Sequence, residues 1–203
     1  MKSVFKLTKL PPAVELESVV VLKKTARAHR FLAELKGVSG TIPNQSILIN
    51  TLALQEAKDS SAIENIITTH DELFQEELFA DIASNASAKE VRRYAVALKK
   101  GFERVQKSKL LTNVHILEIQ ETLGASRAGF RKLPGTELKN QQTGETIYTP
   151  PQNPEEIIHL MANLEQFIND DEVSFLDPLI KMAVSHYQFE SIHPFYDGNG
   201  RTG

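Results

Sequence analysis

The stretch His193-Pro-Phe-Tyr-Asp-Gly-Asn-Gly-Arg201 decides how the rest of the chain is read. An apolar helical run ends just before it, and a glycine-rich turn after it opens toward a new helix. Gly198 and Gly200 permit backbone angles that turn successive N–H groups inward as an anion nest, and a helix start adds partial positive charge. Arg201 can add charge-assisted bonds to phosphate oxygens. Asp197 would repel a bare phosphate but suits a Mg2+ that bridges phosphates. His193 lies four residues upstream, with Pro194 stiffening the link and Phe195 suited to the core. A neutral imidazole can take a proton from an attacking hydroxyl near neutral pH. Spacing alone leaves the alternative of a structural turn with a capping aspartate and a satisfied histidine.

The helix leading into this stretch is expected to start at Asp177-Pro178, a cap followed by proline at the first helical position. It runs through Leu179, Ile180, Ala183, Val184 and Tyr187 toward Phe189. Asn153-Pro154-Glu155-Glu156 repeats the pattern and predicts a helix to about Ile168, with acids in its first turn. From Gly129 to Thr149 the helical period breaks. Two extended runs there flank a polar turn at 139–144, predicting a β-hairpin or flap that must lie on the helices or project from them, since one hairpin has no core of its own. Farther upstream, apolar spacing predicts helices over 15–35, 46–57, 71–83, 87–107 and 113–123. In the first of these Val21, Ala28, Leu32 and Leu35 share a face and Gly37 is the expected stop. Arg92, Arg93, Lys99, Lys100 and Arg104 form a basic stripe on the outer side of 87–107. Lys58 to Ile67 reads as a separate short helix capped by Asp59, Ser60 or Ser61, with Glu64 closing a capping box on Ser61. The functional alternative is that this short helix presents Glu64 to another group. The expected architecture is all-α with one β-hairpin flap, divided into an N-terminal helical region over 1–85 and a core over 86–203.

Composition bounds the function. The chain has 203 residues, 41% of them hydrophobic and 24% charged, enough to build a core. With no cysteine, disulfides and thiolate metal sites are excluded. A net charge of −3 gives no support to non-specific binding of nucleic acid or acidic membrane. No apolar run is long enough to span a bilayer and the start is too short for a signal peptide, so the cytoplasm is the expected compartment. Ending on Gly203, one residue after Thr202, the loop–helix motif reads as a truncated chain.

His193 to Arg201 resembles the signature of the Fic family, H-P-F-x-(D/E)-G-N-G-R-x-x-R, at every position the chain reaches. The segments Pro11-Pro12, Ile42-Pro-Asn and Gln55-Glu-Ala resemble the N-terminal region of bacterial Fic proteins, and Phe130-Arg131 to Tyr148 resembles the family flap. The resemblance implies a mainly helical Fic fold and transfer of AMP from ATP to a Ser, Thr or Tyr hydroxyl of a target protein, with self-modification as a variant. It assigns His193 as general base, Asp197 to Mg2+, and Gly198, Asn199, Gly200 and Arg201 to the phosphates. The flap, through Arg131, Lys132, Leu133 and Tyr148, would hold the target segment by backbone pairing. Ser60-x-x-x-Glu64-Asn65 matches the family's inhibitory pattern (S/T)-x-x-x-E-(G/N), over about 60–67, in which the glutamate pairs with the second signature arginine. That arginine would fall at position 204. The same fold also serves removal of AMP, transfer of another phosphate-containing group, or a non-enzymatic regulatory module. The sequence leaves the oligomeric state open; the resemblance offers a homodimer through the helical surface as one assembly, and DNA is an expected partner only where a winged-helix region follows.

Overall fold

The computed structural model describes residues 6–73, 85–124, 127–140 and 142–203, without the side chains of 45–49. The described helices are α1 (Val19–Ser39), α2 (Gln45–Ile63), α3 (Ala86–Ser108), α4 (Asn113–Gly124), α5 (Pro154–Asn169), α6 (Pro178–Ile192) and α7 (Asn199–Thr202). The helix expected over 71–83 lies outside the described residues from 74 onward; residues 70–73 are helical.

The two cap-then-proline starts behave as their chemistry dictates. Asn153 accepts from Glu155 N–H at 2.8 Å to open α5, and Asp177 accepts from Leu179 N–H at 2.9 Å to open α6. Two other expectations fail. Gly37 does not stop α1, which continues to Ser39, and Leu32 and Leu35 point to solvent at 49% and 56% exposure. The break expected before Ser60 is absent, because residues 45–63 form one uninterrupted helix. Asp59, Ser60 and Ser61 therefore sit inside α2 rather than at a cap. Ser60 Oγ donates to Glu56 Oε1 one turn back at 2.6 Å, and Ser61 is fully buried where α2 packs on α3. Tertiary burial here overrides a local capping preference.

Two clusters of buried side chains divide the interior. Ile157, Leu160, Met161, Leu164, Phe167, Phe189, Ile192 and Phe195 form one, into which Leu7 and Leu10 of the N-terminal strap also insert. Asn163 fixes that strap by accepting from Leu10 N–H at 2.7 Å and donating to Leu10 C=O at 2.9 Å. Ala57, Leu73, Ala88, Val91, Tyr94, Ala97 and Leu123 form the other. Helix α4 joins the two, placing Ile116 in the first and Leu123 in the second. Its approach to α3 is close enough that a Cβ on Gly101 would lie 2.7 Å from Ile119 Cδ1.

The hairpin is shorter than expected. Strand β1 (Leu138–Lys139) pairs antiparallel with β2 (Thr146–Tyr148), with Leu138 opposite Tyr148 and a bulge beside it. Residues 130–137 lie outside the ladder. No described helix is long and apolar enough to cross a membrane.

Candidate active site

Helix α6 ends where Pro194 removes the N–H that would continue it. His193 terminates the helix in the left-handed region (φ 50°, ψ 59°), its N–H donating to Phe189 C=O at 2.9 Å. The turn that follows is held from within. Asn199 accepts from Phe195 N–H and donates to Phe195 C=O, both at 2.9 Å, so a side chain 2% exposed closes the loop on itself. Phe195 stacks at a tilt against Phe130 and Phe189, with centroids 5.5 and 6.2 Å away. Gly198 takes φ 73°, a conformation costly for other residues, and begins α7 without a side-chain cap. From α4, Gln120 Nε2 donates to Asp197 C=O at 2.9 Å.

The flap base is tied to this turn. Arg131, 1% exposed, donates through Nε to His193 C=O at 2.8 Å and through Nη2 to Ile192 C=O at 3.4 Å and to Pro151 C=O. Its own N–H donates to Pro194 C=O at 2.8 Å. Burial pulls the guanidinium pKa below its usual value, opposed by the phenols of Tyr196 and Tyr148. Arg131 was expected at a target-holding edge; its side chain is instead committed to carbonyls of the histidine loop. Tyr196 Oη accepts from the N–H groups of Lys132 and Leu133 at 2.8 and 3.0 Å, which lowers the phenol pKa. Those two N–H groups face the turn rather than an incoming strand. The Lys132 and Leu133 side chains are exposed, and Tyr148 Oη donates to Ser191 C=O at 2.8 Å.

His193 is half-buried. Burial is the largest influence and lowers its pKa below 6.5; the Glu190 carbonyl opposes it, and the Arg131 charge adds a smaller lowering. Nδ1 is buried beside that carbonyl without a hydrogen bond of acceptable geometry. Held below 6.5, the imidazole favours its neutral form at pH 7.

Arg201 lies at the centre of the acidic part of the site, its side chain only 4% exposed. Nη1 donates to Glu90 Oε1, Nη2 lies 3.4 Å from Asp197 Oδ2, and Nε is in ion-pair contact with Glu64 Oε2. The Nε contact lacks hydrogen-bond geometry, so that N–H remains an unsatisfied buried donor. Burial works to lower the Arg201 pKa, and Glu64, Glu90 and Asp197 together outweigh it and raise the value.

Glu64 reaches this point because of how α2 ends. Asn65 adopts φ 63°, Asn65 N–H donates to Ala62 C=O at 3.1 Å, and Ile66 N–H donates to Ser61 C=O at 3.0 Å. This pair of reversed bonds is the Schellman closure, which requires a left-handed residue after the cap and so favours Gly or Asn there. Glu64 is the cap residue, aimed across at α7, where its Oε1 would lie 2.9 Å from a Cβ on Gly200. The resemblance had assigned it to an arginine at position 204; the structure sets it against Arg201. Ser60 Oγ is instead engaged by Glu56, one turn back in α2.

Asp197 is 86% exposed, with the weak Arg201 contact as its only ion pair among the described residues. Its carboxylate fits a Mg2+ completed by phosphate oxygens and water. No cluster of three or more metal-binding side chains occurs among the described residues. Sequence reasoning missed Glu90 and Gln120. Glu90 had a signal: it heads the stripe Glu90, Tyr94, Ala97, Gly101 at helical spacing, a charged residue on an otherwise buried face. Gln120 had none.

Residues 22–103 match the family described as Fic/DOC family N-terminal, and residues 110–203 match the Fic/DOC family. The chain belongs to the Fic family. It is 37% identical over 70 residues to protein adenylyltransferase Fic of Drosophila erecta and 38% identical over 52 residues to protein adenylyltransferase fic-1 of Caenorhabditis briggsae. These matches cover 34% and 26% of the chain but only 14% and 10% of those relatives. Among solved structures, a Fic domain containing signaling protein from Bacteroides thetaiotaomicron superposes with TM-score 0.71 at 24% identity, covering 86% of this chain and 68% of that one. A Fic family protein from Desulfovibrio desulfuricans gives TM-score 0.73 at 21% identity, covering 93% and 56%. At these identities the superpositions establish the mostly helical Fic fold.

Proposed function

We propose that the chain carries the catalytic loop of a protein adenylyltransferase, moving AMP from ATP to a Ser, Thr or Tyr hydroxyl of a target protein, with Glu64 as its brake. The reading rests on one observation above the others: the loop that holds a half-buried His193, its pKa lowered, also holds Arg201, and a carboxylate from a separate helix is seated on that arginine. The names of the relatives support the choice of AMP as the transferred group.

His193 accepts the proton of the target hydroxyl as its oxygen bonds to the α-phosphorus, and the bond from that phosphorus to the pyrophosphate oxygen breaks. The N–H groups of the first turn of α7 and Arg201 face the charge that develops on the phosphates. A Mg2+ held by Asp197 would neutralise charge on the α- and β-phosphates. Lys132, Leu133 and Tyr148 form the surface on which the target segment rests. Glu64, at the Nε edge of Arg201, keeps an anion from that edge by occupancy and by repulsion.

The test is incubation with ATP labelled at the α position and, separately, at the γ position, with Mg2+ and a cell lysate. Protein labelling from the α position only is the expected outcome. Labelling from the γ position only would replace this reading with kinase-like chemistry.

A further inference from the structure

Three carboxylates surround the Arg201 guanidinium, and they do not hold it in the same way. Glu64 and Asp197 lie along the Nε/Nη2 edge, the pair of parallel N–H groups that takes a phosphate or carboxylate side-on. Glu90 lies at the remaining corner, Nη1, and is a true hydrogen-bond acceptor. The Glu64 contact fails hydrogen-bond geometry and leaves Nε unsatisfied in a buried position. That side-on edge is thus occupied but only half satisfied, with Nη2 bonded weakly to Asp197 at 3.4 Å and Nε unpaired, while the Nη1 corner is bonded to Glu90.

The elements behind these groups differ as well. Glu90 sits early in α3, a 23-residue helix capped by Asn85 and packed along its length against α2 and α4. Asn85 is itself held by Glu72 at 2.8 Å. Glu64 stands beyond the last turn of α2, and Asp197 lies on an exposed part of the loop.

We propose that Glu90 is the positioning residue for Arg201: it grips Nη1 so that the Nε/Nη2 edge keeps facing the anion site whether or not Glu64 is seated there. This rests on the reading of Arg201 as a phosphate ligand. Glu90 and Glu64 then have opposite effects although both are carboxylates on one arginine. Charge alone would predict the reverse for Glu90, since removing a negative group beside an anion site strengthens anion binding.

The experiment uses the whole chain labelled with 15N-arginine, in the parent, Glu64→Gln, Glu90→Gln and the double variant. The Arg201 Nε–H signal reports how firmly the guanidinium is held, and ATP titration reports binding. Glu90→Gln is near-isosteric, and thermal unfolding of each variant checks that it is folded; Glu90→Asp, which keeps the charge on a shorter arm, serves as a second variant. The expected result is a single slowly exchanging Arg201 signal in the parent and in Glu64→Gln, broadened or averaged in Glu90→Gln and the double variant, and partly restored in Glu90→Asp. ATP affinity is expected to rise about tenfold in Glu64→Gln and to fall back about tenfold when Glu90→Gln is added. An Arg201 signal that survives Glu90→Gln, or ATP binding that Glu90→Gln strengthens as Glu64→Gln does, would overturn the assignment. If the signals behave as expected but no variant binds ATP, the nucleotide reading fails while the anchoring of Arg201 by Glu90 stands.

Discussion

Arg131 Nε donates to the backbone carbonyl of His193 at 2.8 Å, so the base of the flap and the proposed catalytic histidine are a single hydrogen-bonded unit. Lysine cannot reach three carbonyls with a planar fork, and a neutral side chain leaves them unpaired. Arg131→Lys is expected to lower AMP transfer at least tenfold, mainly through kcat, and to cost about 2 kcal/mol of stability in denaturant unfolding. Transfer at the parent rate would show that His193 keeps its place without the clamp.

His193→Ala is expected to abolish AMP incorporation while ATP binding remains. The same residue sets a pH dependence. Because its pKa in the folded protein lies below 6.5, the neutral form dominates at pH 7, and activity should fall only as pH drops through that lowered value. Between the lowered pKa and 6.5 the unfolded chain binds more protons than the folded one, so stability should rise with pH across that window. A rate that declines already between pH 8 and 7 would remove His193 as the base.

Glu64→Gly is expected to raise target or self-labelling, because it clears the Nε edge of Arg201. Equal labelling of this variant and the parent would sink the brake.

Asn199→Ala removes both bonds to Phe195 from a position 2% exposed and leaves a buried N–H and C=O without partners. Stability should fall by about 2–4 kcal/mol, read as a lower melting temperature, with transfer lost in parallel. A variant that melts with the parent would mean the loop closes by other means.

These expectations rest on features that differ in how far sequence exposes them. Asn153-Pro154 and Asp177-Pro178 predicted α5 and α6 because cap and proline act within a single turn. The motif from His193 to Arg201 was legible for the same reason, its members lying on one loop. The run Asp59-Ser60-Ser61 misled, since its capping preference is local while the packing of Ala57 and Ser61 against α3 is not. Leu32 and Leu35 misled in the opposite sense: the apolar stripe of α1 continues past the part of the helix that meets the body. Glu90, Gln120 and Arg131 reach the loop from other elements, and no periodicity on their own segments names Arg201, Asp197 or His193 as their partners.

The continuity of α2 changes what releasing Glu64 involves. A short independent helix could swing away on its own hinge. Here Glu64 is the tip of a rod of 19 residues, about 28 Å from end to end, seated on α3 through Ala57 and Ser61. Either the last turn unwinds or the whole rod travels, and an axial slip of one turn, about 5.4 Å, is enough to carry the carboxylate out of ion-pair range. An axial displacement of α2 imposed near Gln45 would therefore be felt at the Glu64–Arg201 contact, at the other end of the same helix.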